Sequence, residues 1–403
     1  MVMEYIKGKP YFCYCQNKIK KYQYLDKDIE CEILIIGGGI DGAIANFYLS
    51  KNYDVALVDK SRFGCACTAC ATALLEYQLD DFASDLKEFM SEEEIITAYK
   101  MGLDGIKKIE KFIKQYGNHC EFAPRPTFLY TNSMFSEQDI ENEFKFRTKH
   151  NFDCKLFTEK DNAFSFPIKK GIYCENGGCE FNPYLFTKQM LENSQNQNKL
   201  FENTHITKLT KTENGYIAST AFGEHIKCKK IIIATGFNWE ILDKTDLCER
   251  FITYSVVTSP IQNFGWYNNA LIHDATSPYH YLRILPDNRI IFGGEDTPYK
   301  QKSINEKKSN KIYDKLEKDL YKLFPQIKGI AKIDYKFCGS FGATNNNLGL
   351  IGTSEIDDDI LLFISCGANG IINAMMGVEI IEDILQNKQN KLQKMFSPQR
   401  QNI

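Results

Sequence analysis

Gly37, Gly39 and Gly42 stand in the spacing G-x-G-x-x-G, and Asp59 follows twenty residues beyond Gly39. That set suits the binding of a dinucleotide. Gly37 permits a tight turn, Gly39 lets backbone approach a pyrophosphate, and Gly42 lets a helix pack closely on a strand. A helix opening at Ile40 offers its unpaired N–H groups to phosphate oxygens. Asp59, with Lys60 beside it, stands where a carboxylate can accept both ribose hydroxyls of an adenosine. The motif by itself leaves open which dinucleotide binds and which reaction follows.

Cys65, Cys67 and Cys70 form C-x-C-x-x-C, within fourteen cysteines spread over the chain. Such a set can be small residues packed against a ligand, a redox-active thiol or covalent cofactor link, or part of a metal site. A fourth ligand is missing nearby, and Cys13 and Cys15 supply one only if the N-terminus folds back. Close packing is the preferred reading, with no metal assigned. None of the six histidines forms a metal set.

These residues need elements to position them. The apolar run 33–36 reads as a buried parallel strand, followed by a helix to about residue 50 and a second strand at 55–58 that delivers Asp59. The stretch 61–80 is a small-residue loop opening into a helix from about Thr68 or Ala71. Ser91 and Glu94 make a capping box for a helix that ends near Gly117. Strands are expected at 128–130, 204–210, 228–235, 254–258, 279–285 and 289–293, with a hairpin at Asn214-Gly215. Ile231, Ile232, Ile233 and Ala234 read as a central parallel strand, with Gly236 letting its end approach a ligand. Helices are expected over 136–151, from Pro183 to about 193, and over 309–324. After residue 337 the chain repeats strand, glycine turn and helix.

The chain has 403 residues, enough for two domains, with 43% hydrophobic and 25% charged residues. A net charge of -3 and a pI near 6.2 give no reason to expect nucleic acid. No stretch has transmembrane length and no signal-peptide core opens the chain, so a cytoplasmic protein is expected. The basic segment after Gln386 reads as a solvated, partly frayed tail.

Four blocks together resemble the FAD-dependent oxidoreductases of the D-amino-acid oxidase superfamily. They are most similar to the bacterial glycine/sarcosine oxidase and gamma-glutamylputrescine oxidase-like group. The blocks are GGGIDGA with Asp59, CACTACATALLEYQLD, IIIATG, and the pair GSFGATNNNLGLIG and SCGANGIINA. The resemblance covers about residues 30–383.

It implies an α/β (α+β overall) fold, a Rossmann-like FAD-binding domain with a discontinuous second domain built on an antiparallel sheet. The expected division is 30–85, 165–240 and 337–390 for FAD, and 86–164 and 241–336 for substrate. Residues 1–29 form an N-terminal extension over the first domain, and 391–403 a tail.

For the cofactor, the resemblance places Gly37, Gly39, Ile40 and Gly42 at the pyrophosphate, and Asp59 and Lys60 at the ribose. Thr68, Ala71, Thr72 and Leu74 would run past pyrophosphate and ring. Ile206 would clamp the adenine side. Ala234, Thr235, Gly236 and Gly339 would line the dinucleotide. Gly367, Asn369, Gly370 and Ile371 would start a helix whose positive end favours the charge developing on the reduced ring.

The chemistry implied is hydride transfer from a carbon bearing an amine or hydroxyl to flavin N5, with oxygen or an electron carrier as acceptor. Arg283 is the expected carboxylate fork, Tyr281 its companion on the same strand face, and Tyr77 a third substrate-orienting candidate. His280 faces the other way as a structural histidine. The substrate is expected to be a small amine or amino acid. A 2-hydroxy acid or glycerol-phosphate-like alcohol is the alternative, and a non-catalytic flavoprotein a third; an oligomer is possible. The sequence departs from the family at Ala343, at Asn346-Asn347-Leu348-Gly349, and at Ala368 after Gly367. These departures bear on pocket shape more than on flavin binding.

Overall fold

The Ile33–Ile36 strand is buried along its length and lies between two parallel partners, Lys230–Ile233 and Val55–Val58. This arrangement is seen in a computed structural model that describes residues 4–14, 20–237, 239–242, 247–262, 264–276, 278–300 and 303–400. A continuous apolar run such as Ile-Leu-Ile-Ile has no polar face to give to solvent, so it is stable only with cover on both sides. That cover comes from the Ile40–Leu49 and Gly370–Leu385 helices on one face and the Ile206–Thr212, Gly215–Thr220 and His225–Cys228 strands toward the other. Leu200–Phe201 and Ile360–Ile364 extend the sheet in parallel, and Leu350–Thr353 closes it antiparallel.

A second, larger sheet holds ten strands among the described residues and is antiparallel except where Leu271–Asp274 meets Ala123–Thr131. Its middle is built from Glu249–Thr258, Ile290–Pro298 and His280–Ile284. The Glu306–Leu323 helix packs on one face, its buried Tyr313, Leu316 and Leu320 sharing a cluster with Val256 and Phe292. The architecture is the expected Rossmann-like domain joined to an antiparallel sheet.

Four expectations are corrected. The helix near Thr68 spans only Cys67–Cys70; Ala73 has φ of 51°, and Leu74–Glu76 is a strand paired to Lys170–Glu180. Backbone pairing there outweighs the helix propensity of Ala and Leu. Second, the described part of the extension divides: Tyr22 and Leu25 are buried against the first domain as expected, whereas Ile6–Gly8 pairs with Ile333–Ala343 at the edge of the large sheet and Phe12 is fully buried. Third, Leu74–Glu76, Lys170–Glu180 and residues 337–343 of the strand Ile333–Ala343 fall within the ranges expected for FAD but belong to strands of the large sheet. Fourth, the tail as far as Arg400 is docked rather than frayed. Met395 and Phe396 are buried, and Arg400 donates to the carbonyls of Leu348 and Gly349 at 2.8 and 2.9 Å.

Candidate active site

A cavity of about 550 Å³ runs between the two sheets. At one end the G-x-G-x-x-G turn is tightly set. Gly37 has φ of 111°, and a Cβ there would lie 2.3 Å from the Ala234 carbonyl oxygen. A Cβ on Gly42 would lie 1.8 Å from the Gly37 carbonyl oxygen, so only glycine brings this helix so close to the strand. Gly42 therefore backs the cavity without lining it, whereas Gly37, Gly39 and Ile40 form its wall. The Ile40 N–H donates to Thr68 Oγ1 at 3.0 Å, which ties the helix start to the Cys67–Cys70 turn. Asp59 Oδ2 accepts from the Gly38 N–H at 2.7 Å, and Oδ1 from the Ser61 N–H at 2.7 Å. Lys60 lies beside it with its ammonium 5.3 Å from the Tyr5 ring centroid.

The wall also holds Thr68, Ala71, Thr72, Leu74, Ile206, Ala234, Thr235, Gly236, Gly339, Gly367, Gly370 and Ile371. Asn369 is buried outside the wall, where its amide Nδ2 donates to the Gln78 carbonyl and braces the helix start. The Ala368 N–H at that helix start donates to Asp80 Oδ2 at 2.9 Å. The protein around Asp80 pushes its carboxyl up to about 6, against the pull of the Ala368 N–H and of His273.

Two substrate candidates are corrected. Arg283 is buried and absent from the cavity wall. Its Nη1 meets Glu180 Oε2 at 2.8 Å, its Nη2 donates to the Phe181 carbonyl, and its Nε donates to the Thr72 carbonyl. Every edge of the guanidinium fork is engaged, so it has none to offer a carboxylate. Tyr77 is a core residue, stacked on Phe152 and bonded to Cys174 and Arg147. Without the expected helix, it follows a strand that turns it away from the cavity.

Tyr281 does line the far end. Its hydroxyl pairs with Thr253 Oγ1 at 2.7 Å, and burial holds the phenol above its usual pKa. Beside it stand His273 and Tyr279, neither of which the sequence reading placed there. His273 Nδ1 lies 3.0 Å from Glu76 Oε1. Burial pulls the imidazole pKa down, but Glu76, Asp80 and Asp274 outweigh it and the net shift is upward. Tyr279 donates to Asp296.

Tyr5, Asp41 and Phe341 are also in the wall and also went unread. Asp41 lies inside the glycine motif, which is the one signal that points to it. His280, as expected, is outside the wall, among Asp274, Glu295 and Asp319.

The three cysteines of C-x-C-x-x-C look to different partners. Cys65 Sγ is 3.8 Å from Cys13 Sγ, Cys67 Sγ is 3.5 Å from Ser340 Oγ, and Cys70 Sγ is 3.5 Å from the Cys338 carbonyl oxygen. Cys15 lies outside the described residues.

An elongated cleft with a glycine cradle, a ribose-side carboxylate and a second glycine-rich helix start fits FAD in an extended pose. The FAD dependent oxidoreductase model, DAO, matches residues 32–383, and the chain belongs to that family. It is an FAD-dependent oxidoreductase.

Among curated proteins, it is 22% identical over 395 residues to gamma-glutamylputrescine oxidoreductase of Escherichia coli (strain K12), covering 93% of this chain and 88% of that one. It is also 22% identical over 390 residues to a Bacillus subtilis (strain 168) protein that carries a Rieske 2Fe-2S iron-sulfur name, covering 95% of this chain and 74% of that one. Among solved structures, glycine oxidase from Geobacillus kaustophilus superposes with a TM-score of 0.77 at 15% identity, covering 92% of this chain and 99% of that one. No helix among the described residues is long and apolar enough to cross a membrane.

Proposed function

We propose that this chain oxidises a small amine or amino acid, in the manner of the glycine/sarcosine and gamma-glutamylputrescine oxidase-like group. The observation that carries this reading is the far end of the cavity. There His273 and Tyr281 on the large sheet, with Tyr279 just before the strand of Tyr281, share the wall with Gly367, Ala368 and Ile371 at the start of the last long helix. FAD, when bound, supplies the acceptor for the hydride leaving the substrate carbon.

The residues around that end then have three tasks. Tyr279 and Tyr281 give an apolar wall with neutral hydroxyls. Their pKa values are raised, so neither carries charge at neutral pH. His273, held by Glu76, is the lining group suited to take the proton that a protonated amine must shed before oxidation. Gly367 and Gly370 keep the helix start free of side chains where the ring is expected.

The names of the gamma-glutamylputrescine and glycine relatives support an amine or amino-acid substrate. The acceptor is oxygen or an electron carrier.

The test is anaerobic mixing of the FAD-loaded protein with amines, amino acids and 2-hydroxy acids, following the flavin absorbance. Bleaching by an amine or amino acid is the expected result. Bleaching by hydroxy acids alone replaces the reading with the alcohol-dehydrogenase alternative. Bleaching by no substrate, in protein that dithionite does reduce, replaces it with a non-catalytic flavoprotein.

A further inference from the structure

The charged groups around the far end of the cavity are of one dominant sign. We propose that this end selects an amine with no carboxylate beside the reacting carbon, a cationic amine rather than an α-amino acid. The inference rests on the amine-oxidising reading above and narrows it.

The first argument is the missing anion receptor. Binding a substrate carboxylate in a desolvated pocket calls for a cation with free donors, most effectively an arginine fork. Arg283 is bonded to the lining loop at Thr72, and Glu180, Phe181 and Thr72 engage each of its three nitrogens. Arg147 is likewise engaged by Glu143. Among the described residues of the wall, the one lysine or arginine is Lys60. It lies next to Asp59 at the opposite, ribose end.

The second argument is what surrounds the pocket instead. Glu76 and Asp80 stand behind His273, Asp274 follows it, and Asp296 holds Tyr279. Even when His273 has taken up a proton, its single charge cannot neutralise this set. A substrate carboxylate placed there meets like charge, whereas an ammonium group is attracted.

The third is shape and surface. Tyr279 and Tyr281 are part of the wall there, and aromatic rings attract cations over their faces. Tyr279 and Tyr281 have ring centroids 6.2 Å apart, so the two rings form a continuous aromatic side.

The test uses the FAD-loaded full chain and pairs of compounds that differ by one carboxylate: pyrrolidine against L-proline, dimethylamine against sarcosine, phenethylamine against L-phenylalanine. A non-reacting pair, tetraethylammonium against benzoate, is compared by titration calorimetry and by the shift each causes in flavin absorption. The expected result is at least a tenfold preference for the amine in bleaching, and at least tenfold tighter binding of tetraethylammonium than of benzoate. Asp80→Asn is expected to weaken tetraethylammonium by threefold or more.

Benzoate binding as tightly as the ammonium ion overturns the proposal, as does an amino acid outpacing its decarboxylated partner. Binding of neither ion overturns it too. If no amine or amino acid bleaches the flavin while dithionite does, the amine-oxidising reading has failed separately. The ammonium–benzoate comparison then still decides the charge preference.

Discussion

The Nε of Arg283 donates to the carbonyl of Thr72 at 2.9 Å, joining the large sheet to the loop that lines the cavity. The same guanidinium closes on Glu180, whose other oxygen is held by Arg125 at 2.7 Å, and it lies 5.5 Å from the Phe12 ring centroid. Arg283 is thus a positioning residue for residues 71–74.

Arg283→Leu is expected to destabilise the fold and loosen FAD together. Removing one partner of a buried pair typically costs about 3–5 kcal/mol. Arg125 still partners Glu180, so the low end, about 3 kcal/mol, is expected. Chemical denaturation of the apo-protein reads the first effect and free-flavin fluorescence the second. A variant with unchanged stability and unchanged flavin retention would show that the Thr72 link carries no weight. Arg283→Lys should rescue little, since a compact ammonium cannot reach acceptors set around the three nitrogens of a planar fork.

Gly39 and Gly42 separate cofactor binding from folding. A Cβ on Gly42 collides with the Gly37 carbonyl, whereas one on Gly39 meets only Thr68 Oγ1 at 3.2 Å and otherwise enters the cavity. Gly39 also has φ of -75°, which alanine accepts readily. Gly42→Ala is therefore expected to lower the melting temperature of the apo-protein by several degrees. Gly39→Ala is expected to leave it nearly unchanged while weakening FAD at least tenfold. Equal effects of the two on stability would contradict this division.

The pattern of what could be read follows from how local each signal is. The strand–turn–helix around Gly37 and the capped helix from Ser91 are set by residues close in sequence. Both stand as expected, with Ser91 and Glu94 bonded reciprocally. The far end of the cavity is assembled from distant pieces. Ile6 pairs with Gly339, and Leu74 with Glu180, so neither short strand shows a periodicity of its own. His273 sits on a strand of four residues, Leu271–Asp274, too short for alternation to show. Arg283 was read correctly as a strand residue on the same face as Tyr281. Which acid would claim it depends on Glu180, more than a hundred residues away.

Cys65 should be the most readily alkylated thiol among the described cysteines. It is partly exposed, and its pKa is lowered to about 6, chiefly by the hydrogen bond from Cys13, then by Tyr184, Arg62 and Lys188. Cys174 is lowered to a similar value, by Cys154 first, yet it is buried against Arg147 and out of a reagent's reach. Reactivity needs both thiolate character and access. Iodoacetamide at pH 7 with peptide mapping is expected to label Cys65 before Cys174. Cys13→Ala should slow labelling of Cys65 several-fold by removing its main hydrogen-bond donor. Preferential labelling of Cys174, or a Cys13→Ala variant with an unchanged rate, would disprove this.

Asp41 makes stability depend on pH in a direction unusual for an aspartate. It is buried in the cavity wall, with the Ser365 N–H donating to Oδ2 at 3.0 Å and the Ser365 hydroxyl to Oδ1. Burial raises its pKa more than these bonds lower it, from an ordinary 3.8 to about 6. Between those values the folded chain keeps a proton that the unfolded chain has released. Stability from this group is therefore lost as pH rises through that window, and the penalty is complete above it. A shift of this size corresponds to about 3 kcal/mol. Asn keeps an acceptor and a donor for Ser365 but cannot ionise. The stability of Asp41→Asn relative to wild type is expected to grow from pH 5 to about 7 and then level off, measured by urea denaturation of the apo-protein. A difference that is flat across this range, or that shrinks as pH rises, would mean that the Ser365 bonds outweigh burial and that Asp41 is ionised in the folded chain throughout.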